Sequence, residues 1–132
     1  MIVEKIKQIG QEISVLEGTE RLQYLIDNAK NSKSLANEYK IEQNKIPGCA
    51  SNLWVVGTKM NDGTMEYQFD ADAFITKGTA KLIVDLLNNE KATEIEKLKK
   101  DDFSSLGILE LLTAQRQSGL SNLIETLIKL SK

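Results

Sequence analysis

Cys49 is the single cysteine of a 132-residue chain that contains no histidine. The missing histidine removes the usual general base near neutral pH and the commonest metal ligand. One thiol cannot form an internal disulfide, a CxxC redox pair or a cysteine-rich zinc or iron–sulfur site. Any chemistry at Cys49 therefore proceeds on that sulfur alone or with a thiol of another protein. An isolated cysteine is more often a small buried hydrophobe than a reactive group. The segment Ile46-Pro47-Gly48-Cys49-Ala50-Ser51 favours the second alternative. Pro47 fixes one backbone dihedral and Gly48 permits conformations closed to other residues, so the thiol lies beside a sharp bend. A loop that leads into a strand suits a group presented to a partner. Thiol exchange with a persulfide needs a thiolate and a leaving thiolate but no metal, and Lys45 could favour the charged form. Redox sensing through a sulfenic acid fits the same residues.

The elements around this bend can be read from spacing. Ile2, Ile6, Ile9, Ile13 and Leu16 form a one-sided helical stripe, which Gly18 can close. Thr19 can cap a second helix with Leu22, Leu25, Ile26 and Ala29 on its apolar face. Periodicity fades from Asn31 to Gly48, a long connection anchored around Leu35 and Tyr39; connections of that length are often functional. Leu53-Trp54-Val55-Val56 reads as a strand covered on both faces, with Trp54 filling the core. Asn61-Asp62-Gly63 supplies a three-residue hairpin loop with Gly63 left-handed. Met65, Tyr67 and Phe69 alternate with polar residues along a second strand, and a short third strand falls around Ala73-Phe74-Ile75. Helices follow from Lys77-Gly78 onward, with stripes at Leu82, Ile83, Leu86 and Leu87; at Leu106, Leu109 and Leu112; and at Leu120, Leu123, Ile124, Leu127 and Ile128. Thr93 can cap a short helix running through Leu98. The expected fold is α+β: two N-terminal helices, a small antiparallel three-stranded sheet and C-terminal helices packed on one sheet face.

Bulk properties agree with a single domain over residues 1–132, which can bury roughly two-thirds of its unfolded surface. Hydrophobic residues at 41% make the chain too apolar for disorder. A formal net charge of −2 argues against a nucleic-acid partner. Short apolar runs broken by charge, and a start without a basic, apolar leader, point to a cytoplasmic chain with no membrane partner.

The segment Asn44-Lys45-Ile46-Pro47-Gly48-Cys49-Ala50-Ser51-Asn52-Leu53-Trp54 resembles the SufE family signature N-x-V-x-G-C-x-S-x-V-W. Asp70-Ala71-Asp72-Ala73 with Ile75-Thr76-Lys77-Gly78 is similar to that family's D-S-D-A followed by I-x-K-G. Arg116-Gln117-Ser118-Gly119-Leu120 matches its R-x-x-G-L. The three segments lie in family order and spacing from Asn44 to the C-terminus. Ala50 stands where glutamine is common, and Ser118 where an amide residue is common.

The resemblance implies a sulfur acceptor that docks on a SufS-type cysteine desulfurase, stimulates it, and takes its persulfide sulfur on Cys49. A SufBCD-type iron–sulfur scaffold would receive the sulfur. A CsdE-like role with a paralogous desulfurase is the variant within the same fold. The chain would carry no cofactor of its own, pyridoxal phosphate belonging to the desulfurase, and would be a monomer or weak homodimer. Gly48, Ser51, Asp72, Lys77 and Arg116 are implied as support for the cysteine loop or its partner. Local capping is the simpler role for Ser51, a solvated turn for Asp72, helix entry for Lys77-Gly78 and an exposed charge for Arg116. An ion pair between Arg116 and Asp72 is a further expectation.

Overall fold

The structure is a computed structural model that describes residues 2–49, 51–108 and 111–132. Helix α1 spans Ile2–Ser14 and buries Ile2, Ile6, Gly10 and Ile13, spaced as one helical face. It stops before Gly18, and a side chain takes up carbonyls at and just past its end: a guanidinium nitrogen of Arg21 donates to Ser14 O at 3.3 Å and Arg21 Nε to Leu16 O at 3.0 Å. Helix α2, Glu20–Lys30, buries Leu25 and Ala29. Thr19 precedes it without a side-chain capping bond.

Strands β1, Leu53–Lys59, and β2, Met65–Ala71, pair antiparallel with Leu53 opposite Ala71 and Lys59 opposite Met65. The expected loop joins them. Met60 N–H donates to Thr64 O at 2.8 Å, and Gly63 sits at φ +86°. Asp62 Oδ1 accepts from the Thr64 hydroxyl at 2.6 Å, which tightens the same turn. One face of the hairpin carries Leu53, Val55, Met65, Tyr67 and Phe69 into the core. On the other face Trp54 is half-buried beneath Lys40, whose Nζ lies 5.6 Å from the ring centroid. Trp54 therefore covers the outer side of β1 and does not fill the core, and the strand is fully buried on one face, not two.

No third strand forms at Ala73–Ile75. The ladder ends where Asp72 N–H meets Asn52 O at 3.2 Å, and Lys77 N–H already donates to Ala73 O at 2.9 Å, the first bond of a helix. Phe74 thus opens helix α3, Phe74–Leu87, three residues earlier than the Lys77-Gly78 signal suggested. The sheet among the described residues is the two-stranded hairpin, with Lys45 adding a single bridge opposite Trp54.

Helix α3 lies at the centre of the fold, with eight of its residues buried from Gly78 to Leu87. A β-carbon on Gly78 would stand 1.8 Å from Leu25 O, so α2 crosses α3 at backbone contact. A short helix α4, Ala92–Ile95, follows, then a tighter turn of 3₁₀ type over Lys100–Leu106. Thr93 lies inside α4, and Lys91 precedes it. Of the expected stripe at Leu106, Leu109 and Leu112, the first and last are buried outside any α-helix, and Leu109 lies outside the described residues. Helix α5, Ala114–Leu130, starts at Thr113, whose hydroxyl accepts from Arg116 N–H at 3.3 Å. It buries Gly119, Leu120, Leu123, Ile124 and Leu127, and Leu127 O accepts from the Tyr67 hydroxyl at 2.7 Å.

The connection from residue 31 to 48 runs over the sheet end through two single 3₁₀ turns. Leu35 and Ile46 anchor it in the core, whereas Tyr39 is 44% exposed. No described helix is long and apolar enough to cross a membrane.

Candidate functional site

The loop that carries Cys49 is closed at its base by Ile46 N–H donating to Leu53 O at 2.7 Å. Between those residues the backbone turns at Gly48, whose φ of +79° is strained for any residue with a β-carbon. The turn points the Cys49 side chain inward, half-buried against α5. A β-carbon on Gly119 would fall 2.3 Å from Cys49 Sγ, so the sulfur rests on helix backbone where any other residue would exclude it.

The thiol faces a small cavity lined by Leu53 of β1, Ile75, Thr76 and Thr79 of α3, and Leu112, Arg116 and Leu120 toward α5. Its free volume of ≈ 20 Å³ holds roughly one water-sized group. Thr79 turns its hydroxyl back to Ile75 O at 2.7 Å, and the Thr76 hydroxyl lies 3.0 Å from Ser51 Oγ. Arg116 is the charged residue in this lining. Burial pushes the Cys49 thiol above its ordinary value, opposite in sign to the thiolate that Lys45 was expected to favour. With the loop in this position, burial disfavours the thiolate.

Side chains pin the loop from both directions. After the cysteine, Ser51 bonds Thr76 of α3. Asn52 then gives its N–H to Asp72 Oδ1 at 3.0 Å and its amide to Asp72 Oδ2 at 2.8 Å. Before the cysteine, Asn122 Nδ2 of α5 donates to Pro47 O at 2.7 Å.

The site residues read from the sequence thus fall into two groups. Gly48, Cys49, Ser51, Asp72 and Arg116 come together around the loop and its cavity. Lys77 does not join them: its Nζ lies 3.1 Å from Asp70 Oδ1, and Lys40 Nζ lies 3.1 Å from Oδ2. Asp70 is 4% exposed and also accepts from the N–H groups of Leu35 and Ala71. Burial works against its charge, but the Leu35 N–H, the two ammonium groups and the Ala71 N–H outweigh it and hold the carboxyl below its ordinary value. This cluster ties the 31–48 connection to β2 and α3. Arg116 and Asp72 form no ion pair; Asp72 is taken by Asn52, and Arg116 lines the cavity. Ser118 is exposed on α5, and Ala50 lies outside the described residues.

Sequence reasoning passed over Asn52, Thr76 and Asn122. Asn122 had a legible signal: it is a polar residue three positions after Gly119, beside the apolar stripe of α5.

The family described as SufE, Fe-S metabolism associated domain, matches residues 7–131. An uncharacterized SufE-like protein of Rhizobium etli is 30% identical over 95% of this chain and 88% of its own length. SufE-like protein 1, chloroplastic/mitochondrial, of Arabidopsis thaliana is 31% identical over 96% of this chain, which spans 36% of that longer protein. The solution structure of a hypothetical protein from Thermus thermophilus superposes with a TM-score of 0.79 at 20% identity, covering 96% of this chain and 93% of that one. That likeness shows the α+β fold. The match across nearly the whole chain shows that it belongs to the SufE family, associated with Fe–S metabolism.

Proposed function

We propose that this protein accepts sulfur on Cys49 from the persulfide of a SufS-type cysteine desulfurase, and passes it to an iron–sulfur scaffold of the SufBCD type. The observation that carries this reading is the seat of the thiol. A lone sulfur rests in a mostly apolar cavity with room for about one more atom, on a loop held by side-chain hydrogen bonds to α3, α5 and the end of β2.

The step needs little from the acceptor. The Cys49 thiolate attacks the outer sulfur of the donor's Cys–S–SH. The donor's S–S bond breaks, its own thiolate leaves, and a new S–S bond forms on Cys49. One S–S bond is exchanged for another, so no external oxidant or reductant is needed. The thiol gives up its proton when the loop leaves the cavity and desolvation is relieved. On return, the mostly apolar pocket shelters the outer sulfur from water-borne oxidants. Pyridoxal phosphate belongs to the donor enzyme in this scheme. A peroxide sensor works best with a thiol of lowered pKa, whereas burial raises that of Cys49 in this loop position.

Incubating the protein with a cysteine desulfurase and cysteine, followed by intact mass measurement, tests the reading. The parent gains one sulfur, removable by reductant, and accelerates alanine production; Cys49→Ser does neither. Full stimulation by Cys49→Ser, or gain of oxygen alone with peroxide and no gain of sulfur, overturns it.

A further inference from the structure

Asn122 lies one turn beyond Gly119 on α5, so the two positions share a face. Gly119 receives the Cys49 sulfur, and Asn122 reaches 75 residues back along the sequence to hold the carbonyl of Pro47 at 2.7 Å. The fit is close. A β-carbon on Gly48 would stand 2.6 Å from Asn122 Nδ2, so the left-handed bend of the loop lies directly against this amide. The two ends of the loop are held unequally. Past the cysteine, Ser51 and Asn52 are fastened by several bonds to Thr76 and Asp72, one partner being a carboxylate. Ahead of it, the Asn122 bond is the side-chain tether among the described residues, and it lies near solvent.

We propose that Asn122 is the latch of the Cys49 loop. Its bond to Pro47 keeps the thiol against Gly119. Its release lets the Pro47–Gly48 side lift while Ser51 and Asn52 stay anchored, which swings the sulfur out of the cavity. Asn122 acts as a positioning residue: it touches the loop backbone and not the sulfur. The purpose given to this motion rests on reading Cys49 as a sulfur acceptor; the motion itself does not.

The test is the rate at which iodoacetamide alkylates Cys49 in the full chain, followed by intact mass, for the parent, Asn122→Ala and Asn122→Leu. The leucine variant keeps comparable bulk and neutrality but cannot donate. Both variants should react about three- to tenfold faster than the parent, the population change that follows from losing one ordinary hydrogen bond. The acceleration should be nearly independent of low urea concentrations, because opening one loop exposes little surface. Parent-like rates in both variants overturn the proposal. So does an acceleration that climbs steeply with urea, which marks global unfolding. Sulfur gain from a desulfurase, measured alongside, separates the two readings. Faster alkylation with no sulfur gain even in the parent leaves the latch standing and removes the acceptor role. Sulfur gain in the parent with unchanged alkylation in the variants removes the latch alone.

Discussion

Cys49 and Gly119 occupy each other's space: the sulfur sits 2.3 Å from where a β-carbon on residue 119 would be. The nearest atoms to that position all belong to Cys49, so a Gly119→Ala substitution presses on the loop and not on the core. Alanine in a helix interior is favoured over glycine by about 1 kcal/mol, while overpacking costs about 1–3 kcal/mol where nothing can yield. Here the proposed release of the loop lets it yield. Gly119→Ala should therefore melt within a few degrees of the parent and yet leave Cys49 readily alkylated. A variant with a parent-like alkylation rate would show that the thiol does not depend on this contact.

Asn52 and Asp72 hold each other through the Asn52 N–H and amide donating to the carboxylate, and the Asp72 N–H donating to Asn52 O. Asp72→Ala removes the two side-chain bonds and keeps the backbone one. Both lie near solvent, so the cost to global stability should be small, about 1 kcal/mol. The local effect is larger. Amide hydrogen exchange at Asn52 should accelerate about tenfold, with the core strands unaffected. Unchanged exchange at Asn52 would place the anchor elsewhere.

Asp70 is a different kind of residue. It is buried with two lysines and two backbone N–H groups converging on it. Asp70→Ala strands those donors and should cost about 3 kcal/mol in urea denaturation at neutral pH, at the low end for a broken buried pair because both lysines can swing toward water. The sign with pH follows from its lowered folded-state pKa. Its stabilisation is present above the unfolded carboxyl value, about 3.9, and is lost as pH falls through the folded value. The gap between parent and variant should thus close below about pH 4. A gap that persists undiminished at low pH would count against the charge as its origin.

The helices and the hairpin were legible because their apolar residues recur at one clean period: Ile2, Ile6 and Ile13 for α1; Met65, Tyr67 and Phe69 for β2. The start of α3 was not. Ala73-Phe74-Ile75 is strand-like in composition, and what leaves it free to turn helical is tertiary: β1 begins only at Leu53, and Ser51 just before it turns its side chain to Thr76, so no strand lies opposite Ala73. Trp54 was misplaced for a related reason. Its face of β1 is covered by Lys40, which comes from the irregular connection upstream and carries no periodic signal. The site divides in the same way. Local chemistry marked the bend at Gly48 and Cys49, whereas the partners that hold it, Thr76, Asp72 and Asn122, come from three separate parts of the fold.

Burial raises the Cys49 thiol, and the pH dependence of its reactivity follows. Only the thiolate is alkylated, so the inflection of rate against pH should lie above the ordinary thiol value of about 8.5. In the urea-unfolded chain it should return to that value, and in Asn122→Ala the overall rate should rise at every pH as the open loop is populated. The linkage runs the same way. With the folded-state value above the unfolded one, the neutral thiol's contribution to stability is full below the unfolded value and fades as pH rises through the folded one. Cys49→Ala should accordingly lose less stability than the parent between neutral and mildly alkaline pH. An inflection at or below that of the unfolded chain would mean that a cation, such as Arg116 in the cavity wall, holds the thiolate even while the loop is closed.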